Sequence, residues 1–168
     1  MSGDPSTGSG LAPSTGSGPA PVGLVIASHG DLSRALLNTA EMIVGAQDGV
    51  QAVCLHPQDS LEHCHRSLQE AIGQVDRGGG VLVLIDLFGG TPGNAAALGL
   101  RERWYPVVAG VNLPMLLEVL MNRDGSLSAA ELSALALQAG QAGLIDVSAR
   151  LQAQMGIAGN PEPAAGMA

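Results

Sequence analysis

From residue 22 the apolar positions switch repeatedly between a short continuous run and a helical repeat. "VGLVIAS" (22–28) is almost uninterrupted, the length and composition of a strand covered on both faces. In "LSRALLNTAEMIVG" (32–45), Leu32, Leu36, Ala40 and Ile43 or Val44 recur at helical spacing, and Gly45 stops the pattern. "VQAVCL" (50–55) predicts a second strand. "SLEHCHRSLQEAIGQV" (60–75) lines Leu61, Cys64, Leu68, Ile72 and Val75 along one helical face. After Gly78–Gly79–Gly80 comes "VLVLID" (81–86), the most strand-like run in the chain. A short Ala-rich helix (91–100), a fourth strand (106–111) and a fourth helix (114–121) follow. A further helix over 129–141 and a short last strand, "LIDVS" (144–148), complete the pattern.

Strands that alternate with helices predict βαβ units, hence an α/β fold with a mainly parallel sheet and helices on both faces. Such sheets bind ligands beyond the carboxyl ends of their strands. The first strand ends in Ser28–His29, the third in Asp86 and the fourth in Asn112, so polar groups are expected to converge on one rim.

Composition sets the limits of this domain. Residues 1–20 repeat "PSTGSG" eight residues apart, and 156–168 are rich in Gly, Ala and Pro. Such segments bury little against their ordering entropy, so flexible arms are expected on either side of a folded domain at 21–155. The formal net charge is −8 and all seven cations are arginines. That balance argues against nucleic acid and anionic membrane surfaces as partners. Without lysine, P-loop and Schiff-base chemistry are excluded. No apolar run is long enough to cross a bilayer, and residues 1–20 lack the regions of a signal peptide. Two cysteines, Cys54 and Cys64, make no disulfide framework, so a cytoplasmic setting is expected.

The chemistry concentrates in "VIASHGDLS" (25–33) and "DLFGGTPGN" (86–94). Gly89–Gly90 permit a tight turn close to a ligand. Thr91 before Pro92 reads as an N-cap with proline at the first helical position. The start of a helix offers unpaired N–H groups and a positive partial charge, which suit phosphate. The set describes a site able to phosphorylate His29, with Asp86 orienting the imidazole so that one ring nitrogen stays free. By position alone, a histidine at a strand end is more often structural. Asp86 could equally cap a turn, and G-G-T-P is common loop chemistry.

Other constellations read as structural. Cys54, His56, His63, Cys64 and His65 resemble metal ligands in type. Cys64 lies on an apolar stripe, however, and His63 and His65 diverge by about 200° around their helix. No metal or cofactor is expected. "NRDGSLSAAE" (122–131) partly fits a calcium loop, but Leu120 stands at its first ligand position, and Ser128 with Glu131 reads better as a capping box. A receiver domain would need an acidic pair after the first strand and a lysine after the last, both missing here. Arg34, on the first turns after His29, fits either a solvated face or contact with a phosphodonor protein.

Taken together, "GLVIASHGDLSRALLNTAEMIVG", "VLVLIDLFGGTPGNAA" and "VVAGVNLPMLLEVLM" resemble the mannose-type enzyme IIA of the bacterial phosphoenolpyruvate-dependent sugar phosphotransferase system, from about Val22 to Gly143. The resemblance implies a sheet of order 2-1-3-4 and a homodimer that exchanges a C-terminal strand, here "LIDVS". It implies that His29 accepts phosphate from the phosphocarrier HPr and passes it to an enzyme IIB. Asp86 matches the aspartate beside that histidine, and Thr91 a Ser/Thr of the Gly89–Thr91 loop. Phe88 stands where other members carry tryptophan. No enzyme IIB domain is expected after Gly156, which keeps open a regulatory phospho-switch without sugar transport. The phosphotransfer subunit of dihydroxyacetone kinase is a further relative by fold.

Overall fold

A computed structural model describes residues 19–156 of the chain; the arms expected at its two ends lie almost wholly outside them. The elements are β1 (Gly23–His29), α1 (Leu32–Val44), β2 (Val50–Leu55), α2 (Leu61–Val75), β3 (Val81–Ile85), α3 (Thr91–Gly99), β4 (Val107–Ala109), α4 (Leu113–Asn122), α5 (Ala129–Ala142) and α6 (Val147–Met155). The strands form one four-stranded sheet in the order β2-β1-β3-β4. All three pairings are parallel, with Ala27 opposite both Val53 and Ile85, and Ile85 opposite Ala109.

The two central strands show why their sequences are continuously apolar. Val25, Ala27, Val83 and Ile85 point into a core closed by Cys64, Leu68, Ile72 and Val75 of α2 and Ala95 and Ala96 of α3. The alternate residues Leu24, Ile26, Leu82 and Leu84 point to the other face, against Ala40 of α1, Leu116 and Val119 of α4, and Leu132 and Ala136 of α5. A strand with helices on both sides has no face left for polar residues. All five residues of β3 are buried. Each of those side chains contributes about 1.5–3 kcal/mol of transfer free energy when fully removed from water.

Most expected boundaries match within a residue or two, and the Ser128–Glu131 capping box is formed at the start of α5. Two expectations are corrected. The fourth strand is three residues long, although Val111 N–H still reaches Ile85 O beyond its end. Residues 144–148 form no strand. Asp146 instead accepts from Ala149 N–H and caps α6, converting the end of "LIDVS" into a first helical turn.

The end of the sheet away from the carboxyl rim is tied by Arg123, just past α4. Its guanidinium donates to Val22 O at 2.5 Å and Gly49 O at 3.2 Å, and also to Asp48 O. The charge is largely buried, and that burial lowers its pKa from the usual arginine value.

Candidate active site

His29 is the last residue of β1, and Asp86 follows directly after β3, the neighbouring strand. Parallel pairing brings their ends together. One carboxylate oxygen of Asp86, Oδ2, lies 2.9 Å from the main-chain N of His29 and 2.9 Å from its ring Nδ1. The other, Oδ1, accepts from Leu87 N–H at 2.8 Å. An ionised carboxylate only accepts, so this contact assigns the ring proton to Nδ1 and leaves Nε2 with its lone pair. The His29 side chain is 48% exposed while that of Asp86 is 13% exposed, so the aspartate sits behind and the imidazole faces outward.

The loop after Asp86 turns at Gly89, whose φ of +82° belongs to the left-handed region. Gly90 passes so close to the imidazole that a Cβ there would lie 2.6 Å from His29 Cε1 and 3.1 Å from Nε2. The sequence placed the cap of α3 at Thr91, and this is corrected: Gly90 is the N-cap, Thr91 is the first helical residue, and no side chain caps the helix. Asn94 N–H makes the first helical bond, to Gly90 O. The N–H groups of Thr91 and Gly93 therefore precede the helical ladder, at the positive end of α3, in the turn that follows Gly90.

On the other side of β1, the exit of β2 completes a recess. His29 pairs in register with Leu55, and Gly30 N–H donates to Leu55 O at 2.8 Å. His29, Leu55, His56, Asp59 and Thr91, with Gly30 and Pro57, line a cavity of about 340 Å³.

Two groups assigned to the rim serve elsewhere. Ser28 is fully buried, and its Oγ accepts from Ser33 N–H at 2.6 Å, in the first turn of α1. Ser33 Oγ in turn donates to Val53 O at 3.0 Å and lies 3.3 Å from Cys54 Sγ. This pair, which sequence reading did not connect, fixes the start of α1 behind His29. Asn112 caps α4 by accepting from Met115 N–H and donates to Gly140 O, so it holds α4 against α5. Arg34 is exposed on α1.

The cysteines and remaining histidines are dispersed. His63 Nε2 lies 3.9 Å from Asp59, and the buried His65 Nε2 lies 3.7 Å from Glu102, beyond hydrogen-bond reach. Cys64 is in the core, where burial raises its thiol pKa.

A strand-end histidine oriented by an aspartate, beside an uncapped helix start, occurs here on a parallel 2-1-3-4 sheet. A family model described as "PTS system fructose IIA component" matches residues 23–136, which include every residue of this arrangement. The chain belongs to the mannose/fructose/sorbose family of phosphotransferase-system enzyme IIA components.

It is 38% identical over 130 residues to the mannose-specific EIIAB component of Escherichia coli K12, covering 77% of this chain and 40% of that protein. The chain thus matches less than half the length of that relative. It is 36% identical to the fructose-specific EIIA component of Bacillus subtilis, over 61% of this chain and 71% of the relative. Among solved structures, the mannose/sorbose-specific IIA subunit of Enterococcus faecalis superposes with a TM-score of 0.68 at 30% identity, covering 76% of this chain and 95% of that one. As an enzyme IIA component, this chain is a phosphoryl-transfer component of the sugar phosphotransferase system. No helix among the described residues is long and apolar enough to cross a membrane.

Proposed function

We propose that this enzyme IIA accepts a phosphoryl group from HPr on His29 Nε2 and passes it to an enzyme IIB, in the cytoplasm. The carrying observation is the 2.9 Å contact between His29 Nδ1 and Asp86 Oδ2, which leaves Nε2 as the nucleophile. As Nε2 forms its bond to phosphorus, the bond from phosphorus to the donor breaks and the ring gains positive charge. Asp86 compensates that charge without taking a proton. The N–H groups of Thr91 and Gly93 and the Thr91 hydroxyl receive the phosphoryl oxygens at the start of α3. Gly89 and Gly90 allow the loop to come this close.

The reading extends to a homodimer. Leu144, Ile145, Val147 and Leu151 are exposed apolar side chains on and just before α6, which buries no residue of its own in the single chain. A second copy that covers them would remove this apolar surface from water.

Incubation with phosphoenolpyruvate, enzyme I and HPr is expected to place one acid-labile phosphate on the protein, and His29→Ala to abolish it. Adding a mannose-family enzyme IIB should then discharge the label. Label that persists in His29→Ala overturns the assignment.

A further inference from the structure

We infer that His56 is a second imidazole of this site, donating a hydrogen bond to the phosphoryl group that His29 carries. The inference rests on the phosphoacceptor reading above and adds a residue that the resemblance does not assign.

His56 follows Leu55, the register partner of His29, so it leaves the sheet beside the phosphoacceptor on the side opposite Asp86. The loop that carries it is a closed turn. His56 N–H donates to Asp59 Oδ2 at 2.7 Å, and Asp59 N–H donates back to His56 O at 2.9 Å. These bonds use the main chain of His56 and do not engage its ring. The remaining oxygen, Asp59 Oδ1, faces His63 Nε2 at 3.9 Å. The turn therefore fixes where His56 stands and leaves its imidazole available.

His29 and His56 line the same cavity of about 340 Å³, and Thr91 lines it with them. At about 30 Å³ per water, this space holds a phosphoryl group together with solvent. Charge makes a donor necessary. The cavity already contains Asp59, Asp86 stands behind His29, and the chain carries a formal net charge of −8. A phosphoryl group adds nearly two further negative charges. Among the residues lining the cavity, the side chains able to offer an N–H are the two imidazoles, and His29 spends its own on Asp86 and on the bond to phosphorus. His56 supplies the remaining N–H, while Thr91 adds a hydroxyl.

The test compares the parent with His56→Gln, which keeps an N–H donor, and His56→Phe, which keeps a ring without one. Both substitutions retain the main-chain turn, and circular dichroism checks the fold. Phosphoryl transfer is brought to equilibrium against a fixed pool of phosphorylated and free HPr, and the ³¹P resonance of the phosphohistidine is recorded. His56→Phe is expected to shift the equilibrium back toward HPr by about tenfold, the scale of one hydrogen bond to a charged group, and to move the ³¹P resonance. His56→Gln should retain most of both. A His56→Phe protein that matches the parent overturns the inference. Equal losses in both variants overturn it too, because the effect would then belong to the loop. A parent that takes no label on His29 removes the phosphoacceptor reading and this inference with it, an outcome distinct from either variant result.

Discussion

One oxygen of Asp86 holds His29 twice, accepting from its main-chain N–H and meeting its ring Nδ1, each at 2.9 Å. The strand end and the imidazole are thus positioned by the same atom, and the ring cannot rotate without giving up a hydrogen bond to a charged group. Asparagine at this position can still accept from the main chain, but it carries no charge to balance the ring as Nε2 bonds to phosphorus. Asp86→Asn is expected to keep the fold and to slow phosphorylation of His29 by about a hundredfold or more. Rapid-quench transfer from labelled HPr measures it. An unchanged rate would remove Asp86 from the chemistry.

Gly90 tests the other edge of the ring. Its backbone φ of −79° is open to any residue, so alanine there should cost little in conformation. Its Cβ, however, would sit 2.6 Å from Cε1 and 3.1 Å from Nε2 of His29, and the ring must give way. Displacing a reacting atom by even about 1 Å can cost on the order of a hundredfold in rate. Gly90→Ala is therefore expected to match the parent's urea midpoint closely while phosphorylation falls by about ten- to a hundredfold. A normal rate would mean that the ring has another productive position.

The parts of the fold that could be read from sequence were those set by local pattern. Strands β1 and β3 announce themselves because burial on both faces removes polar residues, and the strand-end rule then points to His29 and Asp86 together. The cap of α3 was misplaced because Thr91 has the right side chain, whereas the position needed the close approach that only Gly90 permits. In "LIDVS" the apolar residues are too few to separate strand from helix, although Asp146 two residues before Ser148 was a usable helix-start signal. Arg123 and His56 were out of reach for a different reason. Arg123 finds its carbonyl at Val22, 101 residues away, and His56 reaches the site only because β2 pairs with β1. Neither relation has a local signature.

Phe88 is 87% exposed and Leu87 60% exposed, on the loop that joins Asp86 to α3. Exposed apolar side chains on the loop that follows Asp86 suit a protein surface that docks there. Phe88→Ser removes nothing from the core, so stability should stay within about 0.5 kcal/mol of the parent. The expected change is a several-fold higher KM for phosphorylated HPr at nearly constant kcat, because the contact forms on encounter and persists through transfer. Steady-state transfer kinetics separate the two parameters. A fall in kcat alone would place Phe88 in the chemistry and count against a docking role.

Away from the site, Asp76 closes α2 and ties it to the segment after α3. Its Oδ1 accepts from Gly78 N–H at 2.9 Å, and its Oδ2 pairs with Arg103. The Gly78 hydrogen bond first, and the Arg103 hydrogen bond second, hold this carboxyl below the usual aspartate range. A carboxyl depressed in the folded state contributes stability that is fully present above its unfolded value. That contribution is lost as pH falls through the folded value. Asp76→Asn should therefore destabilise the protein at pH 7, and the gap between variant and parent should narrow below about pH 4, where an unfolded aspartate takes up its proton. Urea midpoints at pH 7 and pH 3 give the comparison. A gap that stays constant over this range would show that the carboxylate's charge plays no part in holding α2 to Arg103.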